Sequence, residues 1–395
     1  MRRLASVLFT AAGATVAAFA ACYSPNAKDC QYQCNGNACP SGFACESGVC
    51  RIAGHGSQCG TMGGVDGPNT HGDGGGPDTA PPGCSLATYH PLNASPSDVP
   101  LDDRDVTDAT LGNAWNTDNS GTEVAGGTMR ALHFRSLTVH NMLTVTGTRP
   151  GVIFADTITV DTTAKILVAT TRMCLSPNGP QLGLGNGGGG GGGGAGGAGG
   201  PGGLGTQGSA AGGPQISATG TAPTPGCNGA SAAGNAGGHA GGAIQLVAQK
   251  IVMNGQVLAV GAGGKGSTTS ANGGAGGGAG GTILLDGCVV EGAGFLCATG
   301  GGGGGGAGSG SSISSRDGAD GGCLLGGGGG GAGSGGAGGN GGNGNQAAAS
   351  GGPASGTVQS AGGGGGGAGR VIIRTYADPD LMGRPEHEFV LAPPL

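Results

Sequence analysis

Aromatic residues are nearly missing from this sequence: one Trp, four Tyr and seven Phe among 395 residues. That excludes a large aromatic core, the kind that dominates burial in ordinary domains. Charge is scarce as well, at 10%, which excludes a highly charged disordered chain. There is no basic excess, since 16 Lys and Arg face 22 Asp and Glu for a net charge of −6. Nothing therefore favours nucleic acid or an anionic membrane face. The strict Gly-X-Y register of collagen is also missing. Glycine is what the chain has: 102 residues, or 123 with the 21 prolines. Average usage is roughly 7% Gly and 5% Pro. Eighty of the 102 glycines lie between residues 179 and 369.

The N-terminus reads as an export signal. Met1-Arg2-Arg3 is basic, Leu4 to Phe19 is apolar, and no acidic residue precedes Asp29. The stretch is short and weakly apolar for a spanning helix. Phe19-Ala20-Ala21-Cys22 resembles a bacterial lipobox, with Phe19 where Leu is usual. That resemblance implies lipidation of Cys22 and attachment to membrane lipid. With Tyr23 after the cysteine, it also implies sorting to the outer membrane of a Gram-negative cell and exposure at its surface. The rival is ordinary cleavage at Ala18-Phe19-Ala20, which would release a secreted protein. Loss of residues 1–21 removes Arg2 and Arg3 and takes the net charge from −6 to −8.

Residues 22–59 form a cysteine zone with Cys30, Cys34, Cys39, Cys45, Cys50 and Cys59. Fewer than 40 residues bury too little apolar area to fold unaided, so a disulfide-stapled module is expected. Six cysteines allow 15 pairings and the spacing selects none. Zinc is the rival reading, weakened by the lack of a C-x2-C pair, with His55 the one His in the zone. Cys39-Pro40-Ser41-Gly42-Phe43-Ala44-Cys45 followed by Gly48-Val49-Cys50 resembles EGF-like and other small extracellular cysteine modules. Six more candidates lie in the body: Cys84, Cys174, Cys227, Cys288, Cys297 and Cys323. Cys288 and Cys297 flank a short apolar segment, which suggests a bond between adjacent rungs. Residues 60–83 read as a Gly/Pro/Asp linker, with Asp66, Asp73 and Asp78 in turn signals rather than in a calcium-loop spacing.

Residues 84–178 read as β-rich. Leu132, Phe134, Leu137, Val139, Leu143, Val145, Val152, Phe154, Ile158, Val160, Ile166 and Val168 keep a mostly alternating pattern broken by Gly147 and Pro150-Gly151. The layout of Gly151–Val160 plus Lys165–Ala169 recurs at Gly242–Asn254 plus Gln256–Val260, again over 281–298, and in part over Arg370–Tyr376. A recurring unit of this length predicts an all-β stack, a β-solenoid resembling a parallel β-helix. An antiparallel sandwich is the alternative, because alternation does not report strand direction.

The region 179–376 interleaves these units with tracts at 187–203, 234–242, 273–281, 300–310, 326–344 and 362–369, none holding a charged residue. They are either flexible loops or packed, polyglycine-II-like helices of three residues per turn. The apolar strands directly after them favour packing. Gly tracts alternating with units such as Gly241-Gly242-Ala243-Ile244, and closing in Gly369-Arg370-Val371-Ile372, resemble glycine-rich surface lipoproteins of myxobacteria, often labelled PE-PGRS-like. The tracts also resemble the polyglycine-II sandwiches of phage tail adhesins. These resemblances imply a location and an architecture but no activity. Residues 377–395 are read as a C-terminal tail.

Catalytic signals are few. G-x-G-x-x-G recurs, but no helix follows it. Gly264-Lys265 lacks the hydroxyl residue of a P-loop. There is no G-x-S-x-G, H-x-x-x-H or H-E-x-x-H. His55, His71, His90, His133, His140, His239 and His387 are scattered. Asp98, Asp102, Asp103, Asp105 and Asp108 form the strongest charge cluster, which reads as a solvated cap on the stack. The lone Trp115 reads as a packing residue. No catalytic residue, metal, cofactor or nucleotide is expected. The expected function is that of a structural or adhesive, non-enzymatic surface lipoprotein, with a surface glycan or protein as its partner class. The alternative is a β-helical carbohydrate-binding or polysaccharide-degrading protein, with the Asp cluster as its acid–base pair.

Overall fold

The computed structural model describes residues 91, 93–170, 174, 188–205, 208–216, 222–232, 234–269, 272–308, 315–323, 327–344, 346–354 and 359–375, and the strands at 32–33, 43–46, 49–52, 380–381 and 389–391. The chain divides into two compact units, Met1–Gly76 and Pro77–Leu395. In the first, β1 (Tyr32–Gln33), β2 (Phe43–Glu46) and β3 (Val49–Ile52) form an antiparallel sheet in the order β1-β3-β2. Its register sets the backbone of Cys45 opposite that of Cys50. The signal, Cys22, Cys30, Cys34, Cys39, Cys59, Cys84 and the 60–83 linker lie outside the described residues.

The second unit is all-β, with parallel sheets. Its strands are β4 (Asp102–Thr107), β5 (Ala114–Asn116), β6 (Thr122–Val124), β7 (Met129–Val139), β8 (Met142–Thr146), β9 (Gly151–Val160), β10 (Lys165–Val168), β11 (Ala243–Met253), β12 (Gln256–Leu258), β13 (Thr282–Gly292), β14 (Phe295–Cys297), β15 (Arg370–Thr375), β16 (Asp380–Leu381) and β17 (Phe389–Leu391). One sheet runs β17-β15-β13-β11-β9-β7-β4 and the other β14-β12-β10-β8-β5. Every neighbouring pair along these two paths is parallel; among the described strands of this unit β6 alone pairs antiparallel, on β7. Parallel pairing between successive repeats sets aside the antiparallel sandwich.

Like residues stack on like. Leu137, Ile158, Ile251 and Val290 are in register along the long sheet. Leu143, Ile166, Val257 and Leu296 are in register along the short one. Both ladders are buried in one core between the sheets. Each such side chain contributes about 1.5–3 kcal/mol by leaving water. The long strands bend halfway, and their pairing is interrupted at Asp156, Gln249 and Cys288. Core-facing positions are therefore spaced by three across the bend, from Phe134 to Leu137 and from Ala155 to Ile158. This corrects the alternation read through β9. Ile153 and Ala155 face the inter-sheet core, while Val152 and Phe154 join a second cluster with Val99, Val124 and Val247. Both faces of the strand are covered, as in parallel sheets generally.

Among the described residues, thirteen extended tracts complete the unit. They are tracts 1 to 13 in chain order: 188–195, 197–205, 208–216, 222–232, 234–242, 259–267, 273–281, 298–308, 315–323, 327–333, 335–343, 346–354 and 359–369. Tracts 5, 7 and 13 run straight into β11, β13 and β15, while tracts 6 and 8 continue β12 and β14. Strands that neighbour one another thus hand on to tracts that neighbour one another. Sheets carrying side chains pack about 10 Å apart. Without side chains, the two layers approach until their backbones bond directly.

Candidate functional site

The bundle of tracts is the largest feature built from one kind of chemistry. Tract 13 shows the rule. Gly364 and Gly367 donate to the carbonyls of Gly190 and Gly193 in tract 1, at 2.9 and 2.8 Å. Gly363 and Gly366 donate to Gly304 and Gly301 in tract 8, and Gly362 and Gly365 to Gly352 and Ala349 in tract 12. The carbonyls of Gly362 to Gly367 themselves accept from three further tracts: from Gly277 and Gly280 of tract 7, from Gly203 and Gly200 of tract 2, and from Gly339 and Gly342 of tract 11. Partners recur every third residue. A backbone with three residues per turn and no internal bonds presents its N–H groups in three directions and its C=O groups in three others. Six neighbours satisfy all of them, which meets the rule that buried backbone groups be paired. Tracts 7 and 8 are surrounded in the same way.

Glycine is required here for space. A Cβ on Gly363 would fall on the carbonyl oxygen of Ala275, and one on Gly366 on that of Gly278. On the rim the requirement relaxes at every third position. Ala198, Pro201 and Leu204 of tract 2, Ala337 and Asn340 of tract 11, and Ala347, Ser350 and Pro353 of tract 12 are all exposed. On these rim tracts an exposed position recurs every third residue. Several rim amides are capped by side chains. Asp317 and Asp320, three apart on tract 9, accept from Gly266 and Gly263 on tract 6, each at 2.8 Å. Lys265 also reaches Asp317, at 2.7 Å. Its hydrogen bond, with that of the Gly266 N–H, holds this carboxyl below its ordinary range. The lysine of the near-miss P-loop is thus a rim ion-pair partner. Asn340 caps Gly330, and Ser334 caps Gly308.

The carboxylates of the acidic cluster are divided among several basic and backbone partners. β4 is the terminal strand of the long sheet, and charge on such a strand discourages pairing with another chain. Asp102 pairs with Arg104. Asp105 takes both Nε and Nη2 of Arg135, at 3.0 and 2.6 Å, and the Ser136 hydroxyl at 2.7 Å. Asp108 is buried and accepts the N–H groups of His140 and Asn141 at 3.1 Å each. Burial raises its pKa, but the backbone donors outweigh burial and leave it below the ordinary value. Asp98 sits in a 3-10 turn capped by Ser95. These carboxylates serve as salt-bridge partners and caps, Asp103 and Asp105 both meeting Arg135, at 3.8 and 2.6 Å.

The Arg135 guanidinium, followed by Ser136, pulls the Asp105 pKa down to about 2. A folded-state pKa below the unfolded one gives stability above the unfolded value, lost as pH falls through the folded value. The Asp105→Asn variant should be less stable than the parent at pH 6, and the gap should close between pH 3.8 and about 2. Thermal melts across that range test this; a gap unchanged at pH 2 would contradict it.

The histidines are dispersed. His133 Nδ1 lies 3.1 Å from the Val99 carbonyl, and its ring meets Phe154 edge-on. His140 contacts Asp161 at 2.7 Å, and His239 is exposed on tract 5. His55, His71, His90 and His387 lie outside the described residues. Trp115 is buried, its Nε1 donating to the Ser120 carbonyl at 3.4 Å, and its ring fills the space above Gly151. No group of three or more metal-ligating side chains occurs among the described residues.

Disulfides join Cys174 to Cys227 and Cys297 to Cys323. The proposed Cys288–Cys297 bond is thereby corrected. Cys288 is itself disulfide-bonded, but it sits at the bend of β13 in the cluster on the outer face of the long sheet. Cys297 lies on β14 in the other sheet, beside tract 9. The Cys297–Cys323 bond fastens tract 9 to β14, and the Cys174–Cys227 bond holds tract 4, roles invisible in the spacing. Sequence reasoning also missed tracts 3, 4, 6, 9 and 12, which are poorer in glycine. Their signal was a small residue at every third position. Comparison with family models, with curated proteins and with solved structures finds no match.

Proposed function

We propose that this chain is an exported, outer-membrane lipoprotein of the glycine-rich surface type, anchored through Cys22, whose body is a non-catalytic structural or adhesive element. In this reading the parallel strands are the rungs of a β-solenoid, and the tracts are polyglycine-II-like helices that prolong it. The observation that carries the reading is the hydrogen-bonded bundle, in which interior tracts use every backbone direction to hold a neighbour. A nine-residue tract at ~3.1 Å per residue is about 28 Å long. A bundle of such tracts is a stiff block with little side-chain chemistry, suited to spacing or contact. The export signal and the disulfides support a setting outside the cytoplasm.

Palmitate labelling of cells expressing the parent and the Cys22→Ala variant tests the anchor. The parent should label and fractionate with outer membrane, and the variant should do neither. Equal labelling would remove the lipid claim. A panel of acidic and neutral polysaccharides tests the rest: cleavage of any member would replace the non-enzymatic reading with the carbohydrate-active one.

A further inference from the structure

At one end of the bundle the period of three breaks for two amides at once. Gly351 and Ala354 of tract 12 donate to the carbonyls of Pro201 and Leu204 in tract 2, at 2.9 and 3.0 Å. The period puts Ala348 next in that series, opposite Ala198. Gly362 and Gly365 of tract 13 donate to Gly352 and Ala349 in tract 12, at 2.9 and 3.0 Å. Ala368 is next there, opposite Gln346. Neither bond forms, and neither N–H has another partner among the described residues. The cause is the reverse turn that opens tract 12. Asn343 and Gln346 exchange their backbone bonds, at 3.0 and 3.1 Å, which turns the Gln346 carbonyl onto Asn343.

The two amides flank one opening. A Cβ on Gly342 would lie 3.0 Å from the Ala368 nitrogen and 3.1 Å from the Ala348 nitrogen. Both alanines line a cleft of about 230 Å³. That is several times the ~30 Å³ share of one water and less than the ~300 Å³ at which pockets for drug-sized ligands begin. Arg370, the first residue of β15, lines it too, with Asn343 and the exposed Gln346, and no acidic side chain does. Ala368 is 9% exposed, and buried backbone N–H groups are nearly always paired. Two such donors beside a guanidinium are the elements of an oxyanion site. Side-chain amides next to them both donate to hydroxyls and accept from them.

We propose that this cleft takes the oxyanion group of one residue of an acidic glycan, a uronate carboxylate or a sulfate ester. The proposal rests on the adhesive reading above and names a ligand class for it. Calorimetric titration of the full chain with glucuronate, glucose 6-sulfate, glucose and acetylglycine tests it. At least one charged sugar should bind and glucose should not, and the bound form should slow exchange of the Ala348 and Ala368 amides. The tighter of the two charged sugars identifies the group. Arg370→Gln should weaken that binding about tenfold or more, as loss of a charge-assisted bond does. Ala348→Pro removes one donor and leaves the charge alone. Proline's φ fits this backbone, and the Ala348 N–H bonds to no tract, so this variant should weaken binding likewise with an unchanged far-UV spectrum. Failure of both charged sugars to bind would overturn the proposal. So would equal binding of glucose, tighter binding of acetylglycine as a peptide C-terminus, or binding without protection of the two amides. Unaltered binding in either variant that keeps the parent's spectrum would also overturn it. None of these outcomes touches the adhesive reading, which the cleavage panel decides.

Discussion

Gly363→Ala should be among the most damaging single substitutions in the chain, costing more than the ~1–3 kcal/mol of ordinary overpacking. The added methyl would fall on the carbonyl oxygen of Ala275, in tract 7. That oxygen accepts from Gly304 at 2.8 Å, while Gly363 itself donates to Gly304 and accepts from Gly339, both at 2.8 Å. Making room means moving one of three interior tracts and breaking bonds to several others. A flexible side chain would yield cheaply, but a backbone held on six sides does not. Gly329, on the rim, is the control. A Cβ there meets nothing within 4 Å. Gly329→Ala should be neutral or stabilising by roughly 0.4–1 kcal/mol, because alanine narrows the unfolded ensemble. Thermal melts of the two variants give the comparison. Equal midpoints would mean that the interior tracts are not packed as described.

This contrast shows which parts of the structure the sequence made legible. The repeated units were readable because Leu137, Ile158, Ile251 and Val290 repeat one chemical type at one place in each copy. Strand direction was not, since alternation is the same for either pairing. The bend in each long strand was half visible, as the step of three from Phe134 to Leu137, but in β9 both faces are apolar and the sequence gives no phase. The interior of the bundle was foreshadowed by unbroken glycine at 300–306 and 362–367. Its rim was harder to read. Ala198-Gly199-Gly200-Pro201-Gly202-Gly203-Leu204 looks like an irregular loop until the period of three is recognised. Which cysteine meets which depended on where a tract returns to a sheet, a long-range fact that no local spacing encodes.

The second large effect lies on the outer face of the long sheet. Arg374 of β15 and Asp286 of β13 are directly opposite in the ladder and both are buried, at 1% and 0% exposure. Arg374 Nη1 stands 3.3 Å from Asp286 Oδ1, and Gln245 Nε2 donates to the other carboxylate oxygen at 2.9 Å. Asn93 in turn donates to the Gln245 side-chain oxygen at 3.3 Å. Arg374→Met would strand the carboxylate in an apolar setting, with only part of its polar partnership left. Breaking a buried pair in this way costs about 3–5 kcal/mol. Replacing both charges, as Arg374→Met with Asp286→Leu, should recover most of that loss, because the desolvation of both ions is then avoided. The pair should also bear on register. A slip of β15 by one residue would turn Arg374 from the outer face into the core between the sheets, where Ile373 now sits fully buried. The double variant should therefore be stable yet show slower amide protection in β15 and β17 during refolding, as alternative registers compete. Denaturant titration of the two variants decides the energetic claim: a single variant within about 1 kcal/mol of the parent, below the cost expected for breaking a buried pair, would refute it.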